Sequence, residues 1–219
     1  MKLKLISRSR KDFDDSVDVV PWMSSRRRCG MTGEMLIRFL DGIEKHIGTL
    51  KREIDLDQVE EMINAIQNAK SIFVMGAGRS GFIAKAFAMR LMHLGFNVYV
   101  VGETVTPRIG RDDVLIAISG SGETTSVVNI SRKAKELIGS KLIAITHRSD
   151  STLAKMSDVV VLLKGKIKTE RNEEIAKIAP LGTMFELSSM IFLDGIIAEL
   201  MALKSLTEKD LEERHAVLE

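Results

Sequence analysis

The sequence predicts an α/β fold whose parallel sheet is covered by helices on both faces. Three observations predict it. Five short runs, beginning at Ser71, Asn97, Val114, Lys141 and Val159, are apolar along most of their length, as strands buried on both faces are. Segments of helical period alternate with most of them, the order that builds βαβ units. Glycine-rich and hydroxyl-rich turns follow the first and third runs, at the carboxyl ends where such sheets take their ligands.

The first elements are helical. Leu36, Phe39, Leu40, Ile43, Ile47 and Leu50 make one apolar stripe at helical spacing. Asp55 or Asp57 then caps a second helix carrying Val59, Met62, Ile63, Ile66 and Ala69. These two helices either pack on the core or supply a dimer interface. Ser71 to Met75 reads as the first strand, Ile83 to Leu94 as the helix after a glycine turn, and Asn97 to Val101 as the second strand. Val114 to Ile118 is the third strand, with a helix running to Ile138; Lys141 to Thr146, Thr152 to Met156 and Val159 to Leu163 complete the alternation as strand, short helix and strand. A charged loop, 164–174, leads to a helix from Met184 to Leu203 that is apolar on most faces, which places it in the core or between subunits. A short helix from Glu208 to Glu213 precedes Arg214-His215-Ala216.

The chain of 219 residues is long enough for one sizeable core, and its 45% apolar and 28% charged content is ordinary for a globular protein. Residues 1–30 differ from the rest of the chain. They hold eight Lys/Arg against four Asp, whereas the remainder holds twenty-four against twenty-six acids. They read as a disordered or mis-assigned extension, with Met31 or Met35 as a candidate natural start, leaving residues 31–219 as a single domain. The near-neutral body argues against a nucleic-acid face. The single cysteine, Cys29, excludes an intrachain disulfide and a cysteine metal cage. With no apolar stretch of spanning length and no signal-peptide core, a cytoplasmic location without membrane contact is expected.

The two turns carry the chemistry. Ser119-Gly120-Ser121-Gly122-Glu123-Thr124 joins the third strand to a helix N-terminus. Its glycines allow close backbone approach, and the helix amides favour an anion. A helix cap needs one hydroxyl, whereas this turn carries three, at Ser119, Ser121 and Thr124, and so suits a phosphate monoester. Gly76-Ala77-Gly78-Arg79-Ser80-Gly81 matches the dinucleotide fingerprint G-x-G-x-x-G, and Glu103 stands near the place of the ribose-binding acid. Against a nicotinamide cofactor stand the polar Arg79 and Ser80 within this turn and the richer anion turn after the third strand.

Together, Gly78-Arg79-Ser80 and the Ser-x-Ser-Gly-x-Thr pattern of 119–124 resemble the sugar isomerase (SIS) domain family. More narrowly, Gly76 to Gly81, Ala88 to Gly95, Val101 to Thr104, Gly182-Thr183-Met184-Phe185-Glu186 and Arg214-His215-Ala216 are similar to its 6-phospho-3-hexuloisomerase group, from about Met35 to Glu219. The resemblance implies a five-stranded, flavodoxin-like α/β/α sandwich in three layers. It implies conversion of D-arabino-hex-3-ulose 6-phosphate to fructose 6-phosphate in formaldehyde fixation by the ribulose monophosphate route. A tetramer with active sites shared between chains, and functional coupling to hexulose-6-phosphate synthase, are also implied. Its phosphosugar contacts fall on Gly78, Arg79, Ser80, Ser119, Gly120, Ser121, Gly122, Thr124 and Thr183.

Moving a carbonyl from C3 to C2 passes through an enediolate and needs a base with oxyanion donors, but no metal or other cofactor. Glu186, in the first turn of an apolar helix, is the candidate base. Thr183 to Glu186 also matches a capping box; spacing leaves the two roles even, and the resemblance favours the base. His215 is the second catalytic candidate, to polarise the carbonyl or shuttle protons from a tail able to reach a neighbouring subunit, against the alternative of a surface histidine near a frayed terminus; His93 reads as a packing residue and His147 as a candidate cleft residue. Glu103 and Thr106 are expected at the cleft's edge. The alternatives are another phosphosugar isomerase of this fold and a non-enzymatic sugar-phosphate sensor.

Overall fold

The computed structural model describes residues 33–163, 179 and 182–217. The expected extension, 1–30, and the charged loop, 164–174, lie outside the described residues. Five strands, β1 (Ile72–Gly76), β2 (Val98–Val100), β3 (Val114–Ile118), β4 (Lys141–Thr146) and β5 (Val159–Leu162), pair in parallel in the order β2-β1-β3-β4-β5. This is the flavodoxin-like order. Each residue of β3, the central strand, is at most 1% exposed. That burial accounts for its unbroken apolar run, since no side chain of this strand meets water before the chain leaves the sheet at Ser119.

The chain travels outward from β1 to β2, returns to the other side of β1, and continues through β3, β4 and β5. Right-handed crossovers in opposite directions put their helices on opposite faces. On one face α3 (Arg79–His93) lies with α2 (Leu56–Asn68) and α6 (Thr183–Leu203): Phe87, Leu91, Ile66 and Ile196 bury Val74 and Ile116. On the other, Val127 of α4 (Thr125–Arg132) and Leu153 of α5 (Thr152–Met156) cover Phe73, Leu115 and Leu142. The result is a three-layer α/β/α sandwich in which strand residues alternate between the two cores.

Asp55 is the cap of α2, its side chain accepting from the amides of Asp57 and Gln58. That helix packs on the core. The first helix, α1 (Glu34–Glu53), does so only at its carboxyl end: Leu50 is buried, Phe39 and Ile43 are half-buried, and Leu36 and Leu40 are exposed. His46 fastens α1 to α6. Ser188 donates its hydroxyl to the Met184 carbonyl (2.7 Å), leaving Oγ to accept from His46 Nε2 (2.7 Å). Burial holds the His46 imidazole below its ordinary pKa. The last helix is α7 (Glu208–Glu212), closed by a capping box between Thr207 and Asp210.

α4 runs on into a π-helical turn, Lys133–Ile138, which stops at Gly139 with φ 79°. One residue before α4 ends, Ser131 is fully buried on the sheet side, and its Oγ finds no hydrogen-bond partner among the described residues. A hydroxyl desolvated without a partner is unfavourable, and alanine is also the better helix former. Ser131→Ala is therefore expected to raise stability by about 1 kcal/mol, read as a higher urea midpoint at unchanged slope.

Candidate active site

β1 and β3 end in register, Gly76 opposite Ile118, so the two turns predicted to hold a phosphosugar stand side by side at the carboxyl edge of the sheet. This is the point where the strand order reverses. The first turn is tighter than the sequence suggested. A Cβ on Gly76 would lie 2.5 Å from the Ser80 carbonyl oxygen, and one on Gly81 would lie 3.0 Å from the Gly76 oxygen. Gly78, at φ 59°, turns the chain, and Arg79, Ser80 and Gly81 are already helical. The helix thus begins at Arg79 instead of about Ile83. Its glycines mark where helix and strand touch, a contact that periodicity cannot register.

The second turn closes on itself. Ser119 Oγ accepts from the Gly122 amide (3.2 Å) and shares a hydrogen bond with Thr124 Oγ1 (3.1 Å), while Ser121 Oγ accepts from the Glu123 amide (3.2 Å). Thr124 occupies the N-cap of α4, yet its side chain makes no capping bond. Gly78 and Gly182, the N-caps of α3 and α6, have none to offer. Ser80, Thr124 and Gly182 all line one cleft, so three helix N-termini without side-chain caps open into it. By contrast α2 and α5 are capped by Asp55 and Ser151, and at α7 the Asp210 carboxylate accepts from the Thr207 amide (2.7 Å); α1, starting at the exposed Gly33, is uncapped at the surface. The first turns of α3 and α4, with Ser80, Ser119, Ser121 and Thr124 beside them, suit an anion with several oxygens.

Glu186 forms the opposite wall with Phe185. The N-cap of α6 is Gly182 (φ 85°), and the Glu186 amide donates to its carbonyl (3.1 Å). Thr183 is therefore the first helical residue, and the capping box that Thr183 to Glu186 spell does not form. The Glu186 carboxylate, 6% exposed, accepts instead from Arg79 Nε at the start of α3. Arg79 is largely exposed and, like Gly78 and Thr183, does not itself line the cleft.

The remaining candidates divide. Gly120 and Ser121 line the cleft, and Gly122 is buried behind them with φ 63°. Glu103 pairs with Lys85 (2.6 Å) on the outer side of α3, and the Thr106 hydroxyl donates to the Val100 carbonyl (2.6 Å); neither lines the cleft. His147 turns its Nδ1 to the carbonyl of Leu163 beyond β5 (3.3 Å). His93 is buried, and His215 stacks on its ring, centroids 5.2 Å apart, while Arg214 donates to the His93 carbonyl. That places His215 at the far end of α3, about 20 Å along the helix from Arg79, and it does not meet Glu186 within one chain. Ala77 and Phe185, which also line the cleft, carry no chemical signal in sequence. Among the described residues, no cluster of His, Cys, Asp or Glu is arranged to hold a metal, and no helix is long and apolar enough to cross a membrane.

Comparison with known proteins bears on this geometry. The SIS domain family model matches residues 65–191. An uncharacterized protein of Archaeoglobus fulgidus is 68% identical over 184 residues, covering 84% of this chain and all of the relative. The 3-hexulose-6-phosphate isomerase of Bacillus subtilis is 39% identical over 166 residues, covering 76% of this chain and 89% of its own. Among solved structures, a hypothetical protein of Methanococcus jannaschii, from whose structure a function of 3-hexulose-6-phosphate isomerase was inferred, is 40% identical. It superposes with a TM-score of 0.72 over 82% of this chain and 98% of its own.

The second turn leaves no room at Gly122, where a Cβ would stand 2.1 Å from Ser151 Oγ on a left-handed backbone. Gly122→Ala is expected to lower stability by about 2 kcal/mol and to weaken inorganic phosphate binding measured by calorimetry.

Proposed function

Because the chain belongs to the SIS domain family, we propose that it isomerises D-arabino-hex-3-ulose 6-phosphate to fructose 6-phosphate. The observation that carries this reading is that a buried carboxylate, Glu186, faces the same cleft as an uncapped, hydroxyl-rich phosphate loop. The similarity to 3-hexulose-6-phosphate isomerases at about two-fifths identity supports the choice of substrate.

In this reading the phosphate sits against the amides of α4 with the hydroxyls of Ser119, Ser121 and Thr124, and the backbone of Gly120 and Gly122 allows its approach. Gly78, Ser80 and Thr183 hold the sugar from the other turns. The substrate needs no ring opening, since a C3 ketone closing on O5 would give a four-membered ring and O6 is esterified. Glu186 takes the proton from C2, and the electron pair moves through the C2–C3 bond onto the C3 carbonyl oxygen. The enediolate then collapses with protonation at C3 by the same carboxyl group, while a proton passes from O2 to O3. The Arg79 guanidinium, already bound to Glu186, lies beside the developing oxyanion. The reaction is redox-neutral within the substrate.

His215 enters only as the contribution of a neighbouring chain. The exposed Leu36 and Leu40 on α1, and Met190 and Ile191 on α6, support an assembly of several copies, for which we propose the tetramer. The same reading treats residues 31–219 as one domain and couples it to a hexulose-6-phosphate synthase.

Glu186→Gln is expected to lower turnover by about 10³-fold while leaving fructose 6-phosphate binding intact. The assay runs fructose 6-phosphate backward and traps hexulose phosphate by its cleavage to formaldehyde; near-normal turnover removes Glu186 as the base. Ser121→Ala combined with Thr124→Ala is expected to raise KM by about tenfold or more. Unchanged kinetics in that double variant exclude the loop as the phosphate site.

A further inference from the structure

A glutamate inside a phosphate loop is electrostatically out of place, and Glu123 stands between Gly122 and Thr124. Its carboxylate points away from the cleft: Oε1 accepts from the amide of Thr152 (2.7 Å), the first residue of α5. The amide and hydroxyl of Thr152 hold the Glu123 carboxyl below its ordinary range, so this tie is ionised at neutral pH. It is not needed as a helix cap. Ser151 already caps α5, its hydroxyl accepting from the Ala154 amide (3.2 Å).

The same stretch of chain grips the loop at three further places. The Leu153 amide donates to the Gly122 carbonyl (3.0 Å), the His147 amide to the Gly120 carbonyl (3.1 Å), and Thr146 Oγ1 to that same Gly120 carbonyl (3.2 Å). Those bonds hold Gly120 and Gly122. Beyond them, where the Ser121 and Thr124 hydroxyls and the first amides of α4 must face one way, the Glu123 carboxylate adds a further tie to α5. A largely exposed carboxylate adds little to global stability. Its effect falls on the shape of the loop that carries it.

We propose that Glu123 is a positioning residue for the phosphate cradle: its bond to the Thr152 amide turns its charge out of the cleft and holds residues 121–124 in the shape that receives a phosphate. The proposal rests on the cleft being a phosphosugar site. It assigns substrate affinity partly to a contact that touches no substrate.

A double-mutant cycle tests it, with Glu123→Ala on one side and Thr152→Pro on the other. Proline is well accepted at the first position of a helix. Ser151 before it is extended, at φ −69° and ψ 159°, the conformation that a residue preceding proline adopts. Thr152→Pro therefore removes the donor and leaves α5 in place. The readouts are the dissociation constant of fructose 6-phosphate by calorimetry, KM and kcat. Each single variant is expected to bind about tenfold more weakly, with KM rising and kcat changing less than about twofold. The double variant is expected to bind no more weakly than either single one, because both remove the same bond. Glu123→Gln, which keeps an acceptor without its charge, is expected to lose about fivefold and carries the test if the alanine variant does not fold.

Wild-type affinity in Glu123→Ala or Glu123→Gln overturns the proposal, as do losses that multiply in the double variant. Failure of the unmodified protein to bind either fructose 6-phosphate or inorganic phosphate overturns the assignment of the cleft itself, and this proposal with it.

Discussion

A Cβ on Gly76 would stand 2.5 Å from the carbonyl oxygen of Ser80, so the end of β1 and the first turn of α3 meet with no side chain between them. The arrangement of the cleft depends on that contact. Because α3 starts against the strand, Arg79 leaves the helix at the sheet's edge and reaches Glu186 on α6. Because β1 ends level with β3, the start of α3 also faces the turn at Ser119. One missing methyl group thus sets the distance between two turns that are separated by more than thirty residues of chain.

The helix ends show how the fold divides structural from chemical duty. At α2 and α5, which start away from the cleft, the side chains of Asp55 and Ser151 close first-turn amides. Where a helix starts at the cleft, the N-cap is a glycine or a threonine whose hydroxyl is turned toward Ser119. The Thr124 hydroxyl, turned away from the first amides of α4, forgoes about 1 kcal/mol of capping, whereas a glycine N-cap forgoes only about a few tenths of a kcal/mol. The two cores on either face of the sheet supply the stability that makes this tolerable, with β3 alone burying five apolar residues at no more than 1% exposure.

Much of this was legible in sequence, for identifiable reasons. The boundaries of β3 coincide with its apolar run, because a strand covered on both faces carries no polar interruption, and β4 follows the same pattern after Lys141. Asp55 and Ser119 to Thr124 declared themselves by residue type. The start of α3 did not, since a glycine that permits close contact looks the same in sequence as one that makes a turn. For Glu186 the spacing allows a cap or a base; Gly182 takes the cap position and Arg79 the carboxylate, which removes the cap reading. The tie between Glu123 and Thr152 was invisible, joining residues 29 apart by a contact that obeys no period. His215 shows the opposite limit: its stacking on His93 is a tertiary fact, and what a neighbouring chain makes of it is written in no single chain.

With Glu123 committed to α5, the turn from Ser119 to Thr124 presents no formal charge of either sign to the cleft. Under the proposed function its grip would depend on dipoles and hydroxyls, whose attraction falls off faster with distance than that of a fixed cation and is less sensitive to ionic strength. A phosphate held this way would be selected by the directions of its oxygens more than by its charge. Sulfate, of similar shape and charge, would then be a serious competitor, and escape from the loop would require no separation of opposite ions.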